Sequence, residues 1–204
     1  MYPLKFEDIL RPMIWGGEEI SRFKQLPEVH PGIGESWEIS QVGERVSVVS
    51  EGEDKGKTIT ELIKRDGANL LGKHVAARYA DKFPLLIKFI DAHDNLSIQV
   101  HPNDELAMAR HNSFGKTEMW YVIDAKPGDA DKGAKLRSGF SEQITPKEYK
   151  ERVLNNTITD VLQFHEVKSG DVFFLPAGRI HAICEGILIA EIQQSSDITY
   201  RIYD

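Results

Sequence analysis

Short runs of alternating apolar and polar residues, broken by glycine, proline and asparagine turns, constrain this chain more than any other feature. A two-residue period belongs to a strand with two unlike faces. Asp171 to Leu175 is one such run. A tight turn through Pro176 and Gly178 follows it, and the returning strand, His181 to Cys184, opens on a histidine. Written out, the segment is Gly170-x5-Pro176-x-Gly178-x2-His181. Glycine supplies backbone freedom in the turn, and proline presets φ.

Further runs fit the same scheme. Val46 to Ser50, Leu85 to Asp91, Leu96 to His101, Thr117 to Asp124, Phe164 to Val167 and Leu188 to Gln193 are expected strands. Asp94-Asn95 is a turn, Glu51 to Gly56 an acidic turn, and Pro127 to Gly133 a polar loop. Helices interrupt the strands in three places, near residues 58–82, 103–111 and 145–156. Thr60, or Thr58 just before it, caps the first of these, and Gly67 stops its opening helix. Thr145-Pro146-Lys147-Glu148 is a capping box with proline at the first helical position. The expected architecture is mainly β with inserted helices, a barrel or sandwich carrying a small helical region.

At 204 residues the chain makes one large domain. Chains of this size bury about 70% of their extended surface, so folding needs neither disulfides nor metal. The net charge of −7 comes without any sustained lysine or arginine run. Nucleic acid and anionic membrane are therefore poor partners, since both need a basic face. Cys184 stands alone, which rules out an internal disulfide and fits the cytoplasm. No segment reaches 18 apolar residues, and Met1 to Gly17 lacks the apolar core of a signal peptide.

Ser97, Gln99 and His101 alternate with Ile98 and Val100, so a strand places all three polar side chains on one face. The same alternation also fits a solvated sheet. Glu118 shares a strand face with Trp120 and Val122, and Lys116 joins it if the strand extends back. A carboxylate on an inward face is costly unless paired or bound to a cation. Gln99, His101, Glu118 and His181 together suit a divalent transition metal: two imidazoles, a carboxylate and an amide oxygen. Zinc accepts this set, and ligand type also admits iron, manganese, cobalt or nickel. His30, His74, His93, His111 and His165 lack metal-like spacing, and Cys184 reads as a small core side chain.

Gly170 to His181 resembles the second motif of the cupin superfamily, a double-stranded β-helix barrel. Gln99-Val100-His101 with Glu118 resembles its first motif, with glutamine where many cupins have histidine. The seventeen-residue step from His101 to Glu118 implies an insertion. More specifically, the chain resembles the bacterial short form of the phosphomannose isomerase family. The resemblance rests on Ile14-Trp15-Gly16-Gly17, Gly34-Glu35-Ser36-Trp37-Glu38, Leu85-Leu86-Ile87-Lys88, Leu96 to Pro102, Gly115 to Tyr121, Leu175 to Gly178 and Tyr200-Arg201.

That resemblance implies a single cupin-type catalytic domain over residues 1–204, with Zn²⁺ on Gln99, His101, Glu118 and His181. It implies Arg201 as the catalytic residue, and Ser97, Lys88 and Lys116 near the substrate phosphate. The implied reaction interconverts mannose 6-phosphate and fructose 6-phosphate by proton transfer between C1 and C2 through a cis-enediol. The implied partner is thus a small sugar phosphate. Family members continue past the Arg-Ile-Tyr-Asp stretch into a further β region, which is expected to be absent from a sequence ending at Asp204. A second class stays open, a non-catalytic sugar-binding or regulatory metal cupin. Oxygenase chemistry on Fe(II) is a third, and Gln99 and the lysines argue against it.

Overall fold

The computed structural model describes residues 2–126 and 134–204, so the expected loop over Pro127 to Gly133 lies outside the described residues. Eleven of the described strands form two antiparallel sheets. The larger has the order β1 (Ile9–Gly17), β2 (Ile33–Ile39), β5 (Leu85–Ala92), β12 (Ile187–Gln194), β7 (Glu118–Ala125) and β10 (Val172–Leu175). The smaller has the order β13 (Tyr200–Tyr203), β6 (Ile98–Val100), β11 (His181–Ile183), β8 (Lys135–Phe140) and β9 (Leu162–Glu166). A two-stranded pair, β3 (Gln41–Val42) and β4 (Arg45–Val46), stands apart.

The inner faces of the two large sheets share one core. Ile90, Trp120, Val122 and Ile189 come from the larger sheet, Leu136 and Ile183 from the smaller. Each such apolar side chain contributes about 1.5–3 kcal/mol on leaving water. The strand period explains the choice of residues. Leu86, Lys88 and Ile90 point inward on β5, as do Glu118, Trp120 and Val122 on β7, and all six are buried. The outer face of the smaller sheet is covered differently. There α6 (Pro146–Leu154) and the 3₁₀ turn Ile158–Val161 pack Tyr149, Val153, Ile158 and Val161 over Ile98, Ile180 and Ala182.

Capping sets the helix starts. Thr58 and Thr145 each accept from the third helical amide, while Glu61 and Glu148 reach back to the capping residue. The stretch expected to be helical over 58–82 is three short helices: α2 (Ile59–Asp66), α3 (Ala68–Leu71) and α4 (Lys73–Tyr79). Gly67 and Gly72, with φ of +47° and +81°, break it. The strand expected over Val46 to Ser50 is reduced to β4 and two isolated bridges, Phe6 with Val49 and Val48 with Thr58. Its amides are spent on separate partners, Ser40 and Lys57 among them, rather than on one neighbouring strand. Of Leu96 to His101 only Ile98–Val100 is strand; Ser97 and His101 flank it, and Pro102 offers no amide to continue the ladder. The short helix α1 (Glu19–Phe23) and the strands β1, β2, β8 and β13 were not among the sequence-based elements.

Candidate metal centre

Three loops and strand ends converge on one end of the barrel interior. His101 leaves β6, His181 opens β11 and Glu118 opens β7. The turn Pro176-Ala177-Gly178 lets β11 return beside β6. Gly178 takes φ +84°, and its amide donates to the His101 carbonyl at 2.8 Å, which ties the two histidine segments together. His181 then pairs in register with Gln99. On the other side, Gly115 approaches the start of α5 (Asp104–His111) so closely that a Cβ would lie 2.6 Å from the Asn103 carbonyl carbon. That approach, with the Lys116 amide donating to the Pro102 carbonyl at 3.0 Å, carries Lys116 under the same site.

The two imidazoles are held in the same tautomer. Nδ1 of His101 lies 3.0 Å from the Ile198 carbonyl oxygen, and Nδ1 of His181 lies 2.8 Å from the Arg179 carbonyl oxygen. A carbonyl only accepts, so each Nδ1 carries the proton and each Nε2 presents a lone pair. These nitrogens and the Glu118 carboxylate fall within 4.8 Å of one another. His101 Nε2 is 3.2 Å from Glu118 Oε1, and His181 Nε2 is 3.5 Å from Oε2. All three residues are at most 2% exposed.

Lone pairs facing a carboxylate in a buried site repel, and neither Glu118 oxygen has a hydrogen-bond partner. Lys116 Nζ approaches Oε1 at 2.9 Å, a charge contact off the hydrogen-bonding direction. Burial pushes the Glu118 carboxyl up, but the Lys116 ammonium, the largest of the opposing influences, outweighs it and holds it well below the usual carboxylate range. Burial pushes His181 down to about 4, against the pull of Glu118, so its ring is neutral at pH 7. Two imidazoles with Nε2 turned inward and a carboxylate without a hydrogen bond are a fitting donor set for a divalent metal ion. Gln99 lies alongside, its Nε2 3.5 Å from His181 Nε2.

A second buried row adjoins the first. Trp37, Lys88, Glu191 and Trp120 stand opposite one another across β2, β5, β12 and β7. Lys88 Nζ lies 3.1 Å from Glu191 and 3.4 Å from Glu35. The indole N–H groups of Trp37 and Trp120 donate to Glu35 at 2.6 Å and to Glu191 at 2.7 Å. Burial pushes the Lys88 ammonium down, yet Glu191, Glu35 and Glu118 more than offset it and raise it above the ordinary lysine value. Burial raises the Glu35 carboxyl, but Lys88 and the Trp37 hydrogen bond bring it below its usual range.

The expected site residues thus fall into two places. His101, Glu118 and His181 cluster, with Gln99, Lys116 and Lys88 around them. Ser97 and Arg201 line an open groove of about 910 Å³ together with Trp15 and Arg137. Arg201 is exposed, and its backbone stands opposite Gln99 in the β13–β6 register. Glu35, Glu191 and Gln193 were missed as site residues. Their signal was parity: Glu191 and Gln193 continue the inward face of Ile187 and Ile189. Among the described residues no helix is long and apolar enough to cross a membrane.

Comparison with known proteins gives a consistent result. The family model "Phosphomannose isomerase type I, catalytic domain" matches residues 4–127. Mannose-6-phosphate isomerase ManA of Bacillus subtilis is 38% identical over 205 residues, 99% of this chain and 61% of that protein. The mannose-6-phosphate isomerase of Streptococcus mutans is 38% identical over 202 residues, 99% of this chain and 60% of the relative. The crystal structure of the Bacillus subtilis mannose 6-phosphate isomerase superposes with a TM-score of 0.88 at 32% identity, covering all of this chain and 62% of that one. A putative mannosephosphate isomerase from Archaeoglobus fulgidus gives 0.82 at 28% identity, covering 98% of this chain and 63% of that one. The chain spans about three fifths of the length of the curated relatives it matches. With the cupin-type barrel, the His-Glu-His cluster and the match over most of its first 127 residues, this chain belongs to the type I phosphomannose isomerase family.

Proposed function

We propose that this chain carries the catalytic region of a metal-dependent aldose–ketose isomerase interconverting mannose 6-phosphate and fructose 6-phosphate. The observation that supports it most is the paired tautomer lock. Two backbone carbonyls each hold a histidine with its Nε2 lone pair turned toward Glu118 inside the barrel. His101, Glu118 and His181, with Gln99 as fourth ligand, would hold Zn²⁺. A divalent ion there supplies Lewis-acid polarisation of the substrate oxygens.

The remaining residues have separable tasks. Moving a proton between C1 and C2 through a cis-enediol builds negative charge on the sugar oxygens. Arg201, charged at every working pH, would meet that charge from the groove. Ser97, on the groove with Arg201, would engage the substrate phosphate, while Lys88 and Lys116, buried against the carboxylates, would add positive charge beside the site. Binding at the phosphate orients the reacting carbons. Trp37 and Trp120 hold Glu35 and Glu191, and through them Lys88, in one arrangement.

The test is direct. Purified protein loaded with Zn²⁺ receives mannose 6-phosphate, and fructose 6-phosphate formation is coupled to a reporter. Turnover that chelator abolishes and Zn²⁺ restores supports the reading. Tight binding of the sugar phosphate without turnover in fully metallated protein transfers the chain to the non-catalytic sugar-binding class.

A further inference from the structure

Gln193 is a buried side chain with a task that the metal centre does not explain. It lies on the inward face of β12, 1% exposed, opposite Glu118 on β7 and Leu86 on β5. Its Nε2 donates to the Gln194 carbonyl at 2.9 Å and to the Ser196 carbonyl at 2.6 Å. Both amide hydrogens are therefore in use. The opposite amide orientation would set oxygen against two carbonyl oxygens, so the side chain has one stable direction.

In that direction Oε1 is a buried acceptor without a partner. Its neighbour Gln194 is different: Oε1 accepts from the Thr117 amide and Nε2 donates to Asp104. An orphaned acceptor weakens the fold unless a donor arrives. Residues directly opposite across antiparallel strands have Cβ atoms about 4.5–5.5 Å apart. Gln193 is therefore a register neighbour of Glu118, and its amide is fixed from behind by the backbone. Lys116 already sits against Glu118, and Lys88 against Glu191 and Glu35, so the neighbouring ammonium groups are engaged.

We infer that Gln193 is a substrate-contacting specificity residue whose Oε1 accepts a hydrogen bond from one hydroxyl of the sugar. The inference rests on the isomerase reading for the identity of its ligand. A site built around a hydroxyl rejects the analogue lacking it, because the buried acceptor is then left unpaired.

The experiment measures binding of mannose 6-phosphate and its 3-deoxy, 4-deoxy and 5-deoxy analogues to metal-loaded native protein and to Gln193→Met, by calorimetry. In native protein one analogue is expected to bind about tenfold more weakly than the parent. In Gln193→Met the parent weakens and that analogue binds within about twofold of it, since the acceptor is gone. Equal weakening of parent and all analogues by the substitution overturns the inference and leaves Gln193 as an anchor for the Gln194–Ser196 turn. Should Gln193→Met fail to fold, the side-chain carbonyl ¹³C resonance of Gln193 in labelled native protein decides. It must shift with the parent sugar and stay in place with the discriminated analogue; an equal shift with both overturns the inference. If native protein binds none of these sugars, the isomerase reading itself falls, and the Gln193 assignment falls with it.

Discussion

Replacing Lys88 with methionine probes the charged row inside the barrel. Lys88 is 3% exposed, and its ammonium lies 3.1 Å from Glu191 and 3.4 Å from Glu35. Methionine fills similar space but leaves Glu191 without its nearest cation. Removing one partner of a buried pair costs roughly 3–5 kcal/mol. The loss depends on pH in a defined sense. Glu35 has a folded-state pKa below its ordinary value, so it contributes stability above the unfolded carboxylate pKa and loses it as pH falls through the folded one. Lys88 is a main cause of that depression. In Lys88→Met burial acts on Glu35 with less opposition, and the carboxyl takes up a proton at higher pH. Urea unfolding of metal-free protein at pH 8 and pH 5 should therefore show the larger loss at pH 8. Adding Glu191→Gln removes the stranded charge and should restore about 1–2 kcal/mol as a coupling between neighbours. Equal losses at both pH values, or strict additivity in the double variant, would refute the account of Lys88 as the counter-ion of this row.

Other outcomes follow from the metal centre and its supports. Glu118→Gln keeps the shape and removes the charge, so elemental analysis after Zn²⁺ loading should fall from about one equivalent to a small fraction, as expected for loss of one of few ligands. In metal-free protein His181 should titrate near pH 4 by NMR. Its folded-state pKa is below the ordinary 6.5, so folding stability should decline as pH drops below 6.5 and level off near 4. The total decline is roughly 3 kcal/mol at 1.36 kcal/mol per pH unit. Gly115→Ala would place a Cβ 2.6 Å from the Asn103 carbonyl carbon and the Asp104 nitrogen. It should lower stability by about 1–3 kcal/mol as an overpacking substitution, read by urea unfolding. Arg201 is exposed, so Arg201→Ala should leave the melting temperature within a degree or two while lowering kcat at least about tenfold, the effect of losing one charge-stabilising contact.

Much of the centre was legible because strand parity is a local property. Glu118 beside Trp120 and Val122 announces an inward carboxylate, and Gly178 before His181 announces a returning strand. The helix start at Thr145 was legible for the same reason, since a capping box spans only four residues, whereas Thr60 and Thr58 competed for the first helix and the structure gives the cap to Thr58. Val46 to Ser50 misled because β-prone residues form a strand only beside a neighbour, and here the amides are shared out among loops. Glu35 and Glu191 were passed over because a lone acidic residue in a strand looks the same whether it meets solvent or a lysine far along the chain.

By itself, the order of residues determined the alternation of faces, the turn positions and the chemical types available to hold a metal, because each of these acts within a few bonds. Only the tertiary structure decided that Ile198 and Arg179 lend carbonyls to lock the two histidine tautomers, that Lys88 is clasped by Glu35 and Glu191, and that Gln193, opposite Glu118 in register, keeps an unpaired oxygen. Those facts depend on cross-strand register between distant segments, which is set by closure of the whole barrel.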